Sequence, residues 1–370
     1  MTSVYEERMR RLWRSMQDSE LAAFVVTSPT SIYYLTGLTP SAPPGLVVTS
    51  RAEAPPLLVV RGIELKDVQQ VAPFPVSGAP FGSTGVDLIA EAVREVTRNS
   101  RSRVGFDEEA TLSTKLLEME AAMPWVKLVP SGGLIMDLRF VKTPEEVAMM
   151  QRAAEVSDRA MLAAVEAIRD GRTEAEAAAA AETTWRSYGL GPAYDVLIGS
   201  GKRSAALRRF PSLIVPPRDD LVRFDFAARL SPASGFGYNN DMTRTFTPGK
   251  PSPANEELLR VGVAVFEATL NALRPGRTIG DVAEEGLREV KGTRYEVLTH
   301  MVGHGIGADV HEPPPFARGS TFVIQPGNCF AIEPMVCLPG ERAVCFENTV
   351  VIKEDGWGSL NQLDLRLWGT

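Results

Sequence analysis

The sequence predicts an α/β N-terminal domain followed by an α+β domain with an internal duplication. Three observations predict it. Short apolar runs alternate with amphipathic stretches up to about residue 137. A seven-residue phrase recurs in the remainder, which we take as a second domain, 138–370. All three histidines of the chain fall in one short glycine-rich stretch of that second part.

In the first domain, Tyr5 to Asp18 spaces Met9, Leu12, Trp13 and Met16 as a helix does. Leu21–Val26, Gly45–Val48 and Leu57–Val60 are apolar runs bounded by turn residues and predict buried strands. Tyr33-Tyr34-Leu35-Thr36-Gly37 is expected at a turn. Asp87–Thr97 and Thr111–Met123 predict helices, and Arg103–Asp107 a strand between them. No cluster of ligands or nucleophiles occurs here, so its expected role is scaffold, dimerisation and a wall for a substrate pocket.

The second domain opens on Lys142-Thr143-Pro144-Glu145-Glu146, a helix start with proline and acids in the first turn. That helix should end near Asp170-Gly171, and Thr173 with Glu176 should cap the next. Ala167-Ile168-Arg169-Asp170-Gly171-Arg172-Thr173 returns as Ala272-Leu273-Arg274-Pro275-Gly276-Arg277-Thr278, with five of seven positions identical. Each copy precedes a strand-rich segment carrying acids, which predicts two α+β halves with the site between them.

Both segments read as hairpins. Leu221–Ala227 and Gly237–Phe246 flank the turn Ser231–Gly235, and a hairpin centred on Ala233 sets Asp225 opposite Asp241, with Cβ atoms roughly 4.5–5.5 Å apart. Cys329–Glu333 and Val344–Val350 flank Leu338-Pro339-Gly340, and a centre at Gly340 opposes Glu333 to Glu347. Facing carboxylates among Phe, Ile, Val and Cys cost several kcal/mol unless a cation or a proton neutralises them. Between the hairpins runs His300-Met301-Val302-Gly303-His304-Gly305-Ile306-Gly307-Ala308-Asp309-Val310-His311-Glu312-Pro313, whose glycines predict a tight loop or bulge at a close approach. Two acid pairs plus His304 make a mixed O/N donor set suited to two divalent ions about 3.5–4 Å apart.

Composition narrows the partners. With 44% hydrophobic residues, a net charge of −7 and no basic run, nothing favours a nucleic acid. No apolar run is long enough to span a bilayer and the N-terminus lacks an apolar leader, so no membrane partner is expected. Three cysteines, Cys329, Cys337 and Cys345, suit a reducing compartment, and the expected location is cytoplasmic.

These residues resemble the pita-bread metallopeptidases, the prolidase, aminopeptidase P and creatinase group. Gly237–Phe246 is similar to the family's second-aspartate motif, Gly303–Gly307 with Asp309–Pro313 to its histidine motif, and Ile332-Glu333-Pro334 and Phe346–Val350 to its glutamate motifs. Tyr34-Leu35-Thr36-Gly37 and the helix after Lys142 resemble the longer, prolidase and creatinase branch. The resemblance spans essentially the whole chain. It implies a creatinase-like N-terminal domain, a pita-bread catalytic domain, a homodimer, and hydrolysis of C–N bonds in Xaa-Pro dipeptides or longer Xaa-Pro peptides. Two divalent metal ions per chain are implied, manganese first, with cobalt, zinc or iron as alternatives. Asp225 would chelate the first, Asp241 and Glu347 would bridge, and His304 and Glu333 would complete the second. Glu333 would also carry the proton from the attacking water to the leaving nitrogen. His311 and His300 would contact substrate and stabilise the tetrahedral intermediate.

The sequence departs from the pattern in places. The family has a further histidine after a Ser-Gly phrase, and after Ser200-Gly201 this chain has Arg208 and Arg209 there. Arginine holds its proton but grips carboxylates, so Arg209 is a substrate-binding candidate, against a reading as a solvated loop charge. An arginine expected two residues before the last glutamate is Cys345, and Ala227 replaces a glycine. We expect Cys345 to be a packed thiol. These changes leave two alternatives: a hydrolase or lyase for a small non-peptide carboxylate, and a non-catalytic binding protein on the same fold.

Overall fold

The computed structural model describes residues 4–41, 45–51, 54–98, 100–230, 237–298 and 301–368. The chain divides into two compact units between Arg139 and Phe140. No helix among the described residues is long and apolar enough to cross a membrane.

The first unit is a mixed α/β fold. Its helices are α1 (Val4–Asp18), α2 (Pro29–Thr36), α3 (Leu65–Val71), α4 (Val86–Thr97), α5 (Ser113–Ala122) and α6 (Gly133–Arg139). Its strands are β1 (Ala23–Val26), β2 (Gly45–Thr49), β3 (Leu57–Arg61), β4 (Val76–Ala79), β5 (Arg103–Phe106) and β6 (Lys127–Pro130). They form one sheet in the order β4-β3-β2-β1-β5-β6, antiparallel from β1 to β3 and parallel outward from there. Both faces are covered, which explains runs that are apolar throughout. Phe24 and Val26 join Leu12 and Met16 on one side, and Ala23 and Val25 join Ile89 and Val93 on the other. The expected turn at Tyr33–Gly37 is instead the end of α2, which Ser28 caps and Gly37 closes at φ 74°.

The second unit contains α7 (Pro144–Arg169), α8 (Glu174–Ser187), α9 (Pro253–Ala272) and α10 (Ile279–Arg288). The strands are β7 (Gly191–Pro192), β8 (Leu197–Ser200), β9 (Val222–Leu230), β10 (Tyr238–Phe246), β11 (Glu296–Val297), β12 (Met301–Gly305), β13 (Glu312–Ala317), β14 (Cys329–Ile332), β15 (Met335–Leu338), β16 (Arg342–Cys345), β17 (Asn348–Lys353) and β18 (Gly356–Ser359). The repeated phrase marks equivalent joints. Gly171 and Gly276 stand at φ 79° and 83°, where an L side chain is strained, after α7 and α9 respectively. Thr173 and Thr278 then cap α8 and α10 by accepting from Glu176 N and Asp281 N. Each helix pair covers its own core: Phe224, Phe226 and Trp185 sit in one, and Phe266, Phe330 and Phe346 in the other.

Candidate metal centre

Strand period decides what β9 and β10 present. Phe224, Phe226 and Ala228 point into the core from β9, leaving Arg223 and Asp225 on the opposite face. The observed register pairs Thr243 with Asp225 and Asp241 with Ala227. The expected direct opposition of Asp225 and Asp241 is therefore displaced by one pair of residues, and the two acids are diagonal neighbours. A shift of two keeps every side chain on its face, so both carboxylates still meet. The turn expected at Ser231–Gly235 lies outside the described residues.

The second hairpin has the expected register, with Met335 opposite Cys345 and Ile332 opposite Asn348. Glu333 and Glu347 themselves, however, stand outside the strands. They occupy the break where β14 and β17 of one sheet give way to β15 and β16 of another. Glu333 N donates to Val302 O at 2.8 Å and Glu347 N to Thr243 O at 3.0 Å, so each backbone is pinned to a different neighbour. Side-chain hydroxyls lace β10 to this break. Thr243 Oγ1 donates to Glu347 Oε2 at 2.8 Å, Thr245 Oγ1 donates to Cys345 O at 3.0 Å, and Asp241 N donates to Thr349 Oγ1 at 3.0 Å. On the other face, buried Arg244 donates to Thr243 O, Glu347 O, Leu363 O and Asn348 Oδ1.

His304 is not on a loop but inside β12, between Pro315 and Ala331. The glycines beside it do mark a bulge, as register shifts occur at Met301/Gly303 and His304/Gly305. They also mark close approach. A Cβ at Gly303 would meet Ala331 O at 2.1 Å, and one at Gly305 would meet Pro313 O at 2.5 Å. The following turn is held by Asn239 Nδ2 donating to Gly307 O and Ala308 O, both at 2.9 Å, and by the buried Lys142–Glu312 ion pair at 3.0 Å.

Donor atoms converge as three overlapping sets: Asp225, Asp241 and Glu347; His304, Glu333 and Glu347; and Asp241, His304 and His311. Within each set the atoms lie within 4.8 Å of one another. The chemistry of the set fits divalent cations. His304 Nδ1 is 2.9 Å from Gly305 O, which can only accept, so Nδ1 carries the ring proton. Burial pushes the imidazole down to about 4, so Nε2 is a bare lone pair at neutral pH. That lone pair faces Glu333 Oε1 at 3.4 Å and Asp241 Oδ2 at 3.8 Å. Both His304 Nε2 and Glu347 Oε1 are buried without a hydrogen-bond partner. Burial, and then the charges of Asp225, Asp241 and Glu333, hold Asp241 and Glu347 well above the carboxylate range. Glu333 is pushed up to about 8 by burial and Asp225. A cation between these atoms removes every one of these penalties.

Tyr194 was invisible in the sequence as a site residue. Its hydroxyl lies 2.5 Å from Asp225 Oδ1 and 2.9 Å from Asp241 Oδ1. The phenol thus spans both carboxylates, on the side of Asp225 away from Arg209. Thr243 and Arg223 were equally overlooked, although their parity with Asp241 and Asp225 is a readable signal. His311 stands at the exposed rim, its ring 4.4 Å from that of His304. His300 lies outside the described residues. Arg208 is exposed, whereas Arg209 is buried and its Nη2 donates to Asp225 Oδ2 at 3.0 Å. Cys345 is a buried thiol that contacts Glu333 O, and burial raises it well above the ordinary thiol value.

The sequence model of metallopeptidase family M24 matches residues 148–354, and that of the creatinase/prolidase N-terminal domain matches residues 8–141. An Xaa-Pro dipeptidase of Pyrococcus furiosus is 29% identical over 98% of this chain and 99% of its own length. The solved prolidase from Pyrococcus furiosus superposes with a TM-score of 0.83 at 27% identity, covering 95% of this chain and 99% of that one. Dipeptidase PepE from Mycobacterium ulcerans superposes with a TM-score of 0.86 at 26% identity, covering 99% of this chain and 97% of that one.

Proposed function

The chain belongs to metallopeptidase family M24, and from that premise we propose that it hydrolyses Xaa-Pro dipeptides with two divalent cations held by Asp225, Asp241, His304, Glu333 and Glu347. The observation that carries this reading is the bare, buried Nε2 of His304 aimed at two carboxylates, with Glu347 Oε1 equally unpartnered beside it. The relatives named as Xaa-Pro dipeptidase and prolidase support the substrate class. Four carboxylates and one imidazole suit manganese first, then cobalt, zinc or iron.

When bound, the cations polarise the scissile carbonyl and acidify the attacking water. The protein supplies the rest. Asp225, Asp241, Glu347 and His304 would hold the cations, with Asp241 and Glu347 as the shared ligands; Thr349 Oγ1 accepts from Asp241 N and Thr243 Oγ1 donates to Glu347 Oε2, which fixes both. Glu333 is only partly covered, its side chain 33% exposed, so it can both face the cluster and reach substrate. It takes the proton of the water and returns it to the leaving nitrogen. His311 at the rim contacts the substrate, as does His300. Of the two readings of Arg209, its burial on Asp225 supports a site role over that of a solvated charge.

We also propose a homodimer, on the family resemblance alone, and a cytoplasmic location, supported by three buried free thiols. Purified protein should carry up to two divalent ions per chain and cleave Xaa-Pro dipeptides in a screen against longer Xaa-Pro peptides and small amides. Full activity in metal-free protein would sink the mechanism.

A further inference from the structure

The backbones of Asp241 and Glu347 are each tied by hydrogen bonds to one segment near the end of the chain, residues 360–364. The first tie starts at Asp241. Thr349 Oγ1 accepts from Asp241 N and donates to Asp241 O at 3.1 Å. Thr349 N in turn donates to Asn361 Oδ1 at 3.0 Å, and the same oxygen accepts from Asn240 Nδ2 at 2.9 Å. The buried Asn361 amide therefore joins β17 to β10 at the residue next to Asp241. The second tie starts at Glu347. Arg244 is 0% exposed, and its five guanidinium N–H groups meet five acceptors: Thr243 O, Glu347 O, Asn348 Oδ1, Leu363 O and Asp364 O. Asp158, Glu347 and Asp364 stabilise its charge from further away. The segment itself is anchored on α7, where Asp158 Oδ1 accepts from Asn361 Nδ2 at 3.0 Å and Oδ2 from Gln362 N at 2.6 Å and Leu363 N at 3.2 Å.

We propose that Asn361 and Arg244 are positioning residues that set the spacing between Asp241 and Glu347, and so govern whether two cations are held at once. The inference rests on the dinuclear reading and deepens it. Stability alone is served as well by apolar packing, because a buried charge is costly to desolvate. What the polar network adds is direction: it ends on backbone atoms of Asp241, Thr243 and Glu347. His304 and Glu333 are held elsewhere, His304 inside β12 and Glu333 N on Val302 O. A single ion is bound by ligands that adjust around it. Two ions that share both carboxylates depend on the distance between those carboxylates. Loosening the network should therefore weaken the second ion more than the first.

The test titrates the metal-stripped full chain with Mn²⁺ by calorimetry, well below its melting temperature, and records the electron paramagnetic resonance spectrum with both sites filled. The parent should bind two ions and show a spin-coupled pair. Asn361→Ala removes the amide, and Arg244→Lys keeps the charge but replaces the planar fork with a single ammonium. Each should weaken the second ion at least about 10-fold, as loss of an outer hydrogen-bond partner does, weaken the first by less, and turn the spectrum toward that of isolated Mn²⁺. A folded variant that melts lower yet keeps both affinities and the coupled spectrum would leave the network a purely structural role and overturn the proposal. Equal weakening of both ions would overturn it as well. A parent that binds fewer than two ions would instead defeat the dinuclear reading, and the proposal with it. Should neither variant fold, Asp158→Asn at the half-buried end of the network keeps one acceptor and is read by the same two measurements: a smaller shift of the same kind supports the proposal, and parental affinities with a parental spectrum overturn it.

Discussion

His304 Nε2 and Glu333 Oε1 face each other across 3.4 Å, with the imidazole proton turned away toward Gly305 O. Held at about 8, Glu333 keeps its proton near neutrality, and once ionised it repels the bare ring nitrogen unless a cation lies between. His304→Ala should therefore weaken binding of one cation by more than about 100-fold, beyond the roughly 10–100-fold that follows loss of an outer hydrogen-bond partner. Metal content after dialysis reads it, and two ions retained would remove His304 from the ligand set.

Glu333→Gln keeps a donor oxygen but cannot carry a proton. Metal content should stay near that of the parent while kcat falls by about 10²–10⁴-fold. Turnover at the parental rate would assign the proton to another group.

Thr243→Val leaves the β10 backbone alone and strips Glu347 Oε2 of its 2.8 Å hydrogen bond. The loss should cost about 1–3 kcal/mol and loosen the metal roughly 10–100-fold. Thermal melting and metal titration measure the two effects, and a variant unchanged in both would show that the contact is incidental.

Chelation should make stability depend on pH in a new way. Burial raises Glu333 from 4.5 to about 8, and Asp241 and Glu347 also rise. Between those pH values the stripped folded protein binds more protons than the unfolded chain, so its stability falls as pH rises through that window. His304, lowered from 6.5 to about 4, acts in the opposite sense: the unfolded chain takes its proton first, and stability falls as pH drops from 6.5 toward 4. Restored cations replace the carboxyl protons, and the high-pH loss should vanish. Denaturant melts with and without chelator check this, and identical pH profiles would contradict the cluster as described.

Gly305→Ala places a Cβ 2.5 Å from Pro313 O and 2.7 Å from Glu312 O, both backbone atoms that cannot swing away. The bulge that aims His304 should shift, lowering both melting temperature and metal affinity. Retention of both would mean that β12 and β13 can part without moving the ligand.

Much of the site was legible because strand period is a local property. Asp225 and Asp241 are recognised from alternation alone, and the two-residue error in their register was harmless for the same reason. The Gly340-centred hairpin likewise has its expected register on either side of Glu333 and Glu347, although both fall outside the strands, and the Gly171 and Gly276 phrases predicted equivalent helix joints. The glycines flanking His304 read as a tight loop or a bulge, and a bulge within β12 is what forms.

Other features depend on elements distant in the chain. Tyr194 leaves no local signature, and it belongs to the site only because the chain before β8 passes over the gap between Asp225 and Asp241. The α2 helix was mistaken for a turn because eight residues are too few for periodicity to show. Arg209 had two readings in the sequence, and burial on Asp225 separates them. By itself, then, the sequence determined the two-part fold, the duplication and the donor set, since these follow from local pattern and residue chemistry. Tertiary structure decided which hydroxyls hold the carboxylates, which way the His304 lone pair points, and that Arg209 is buried on Asp225. Those are relations between residues far apart along the chain, and only packing brings them within hydrogen-bonding range.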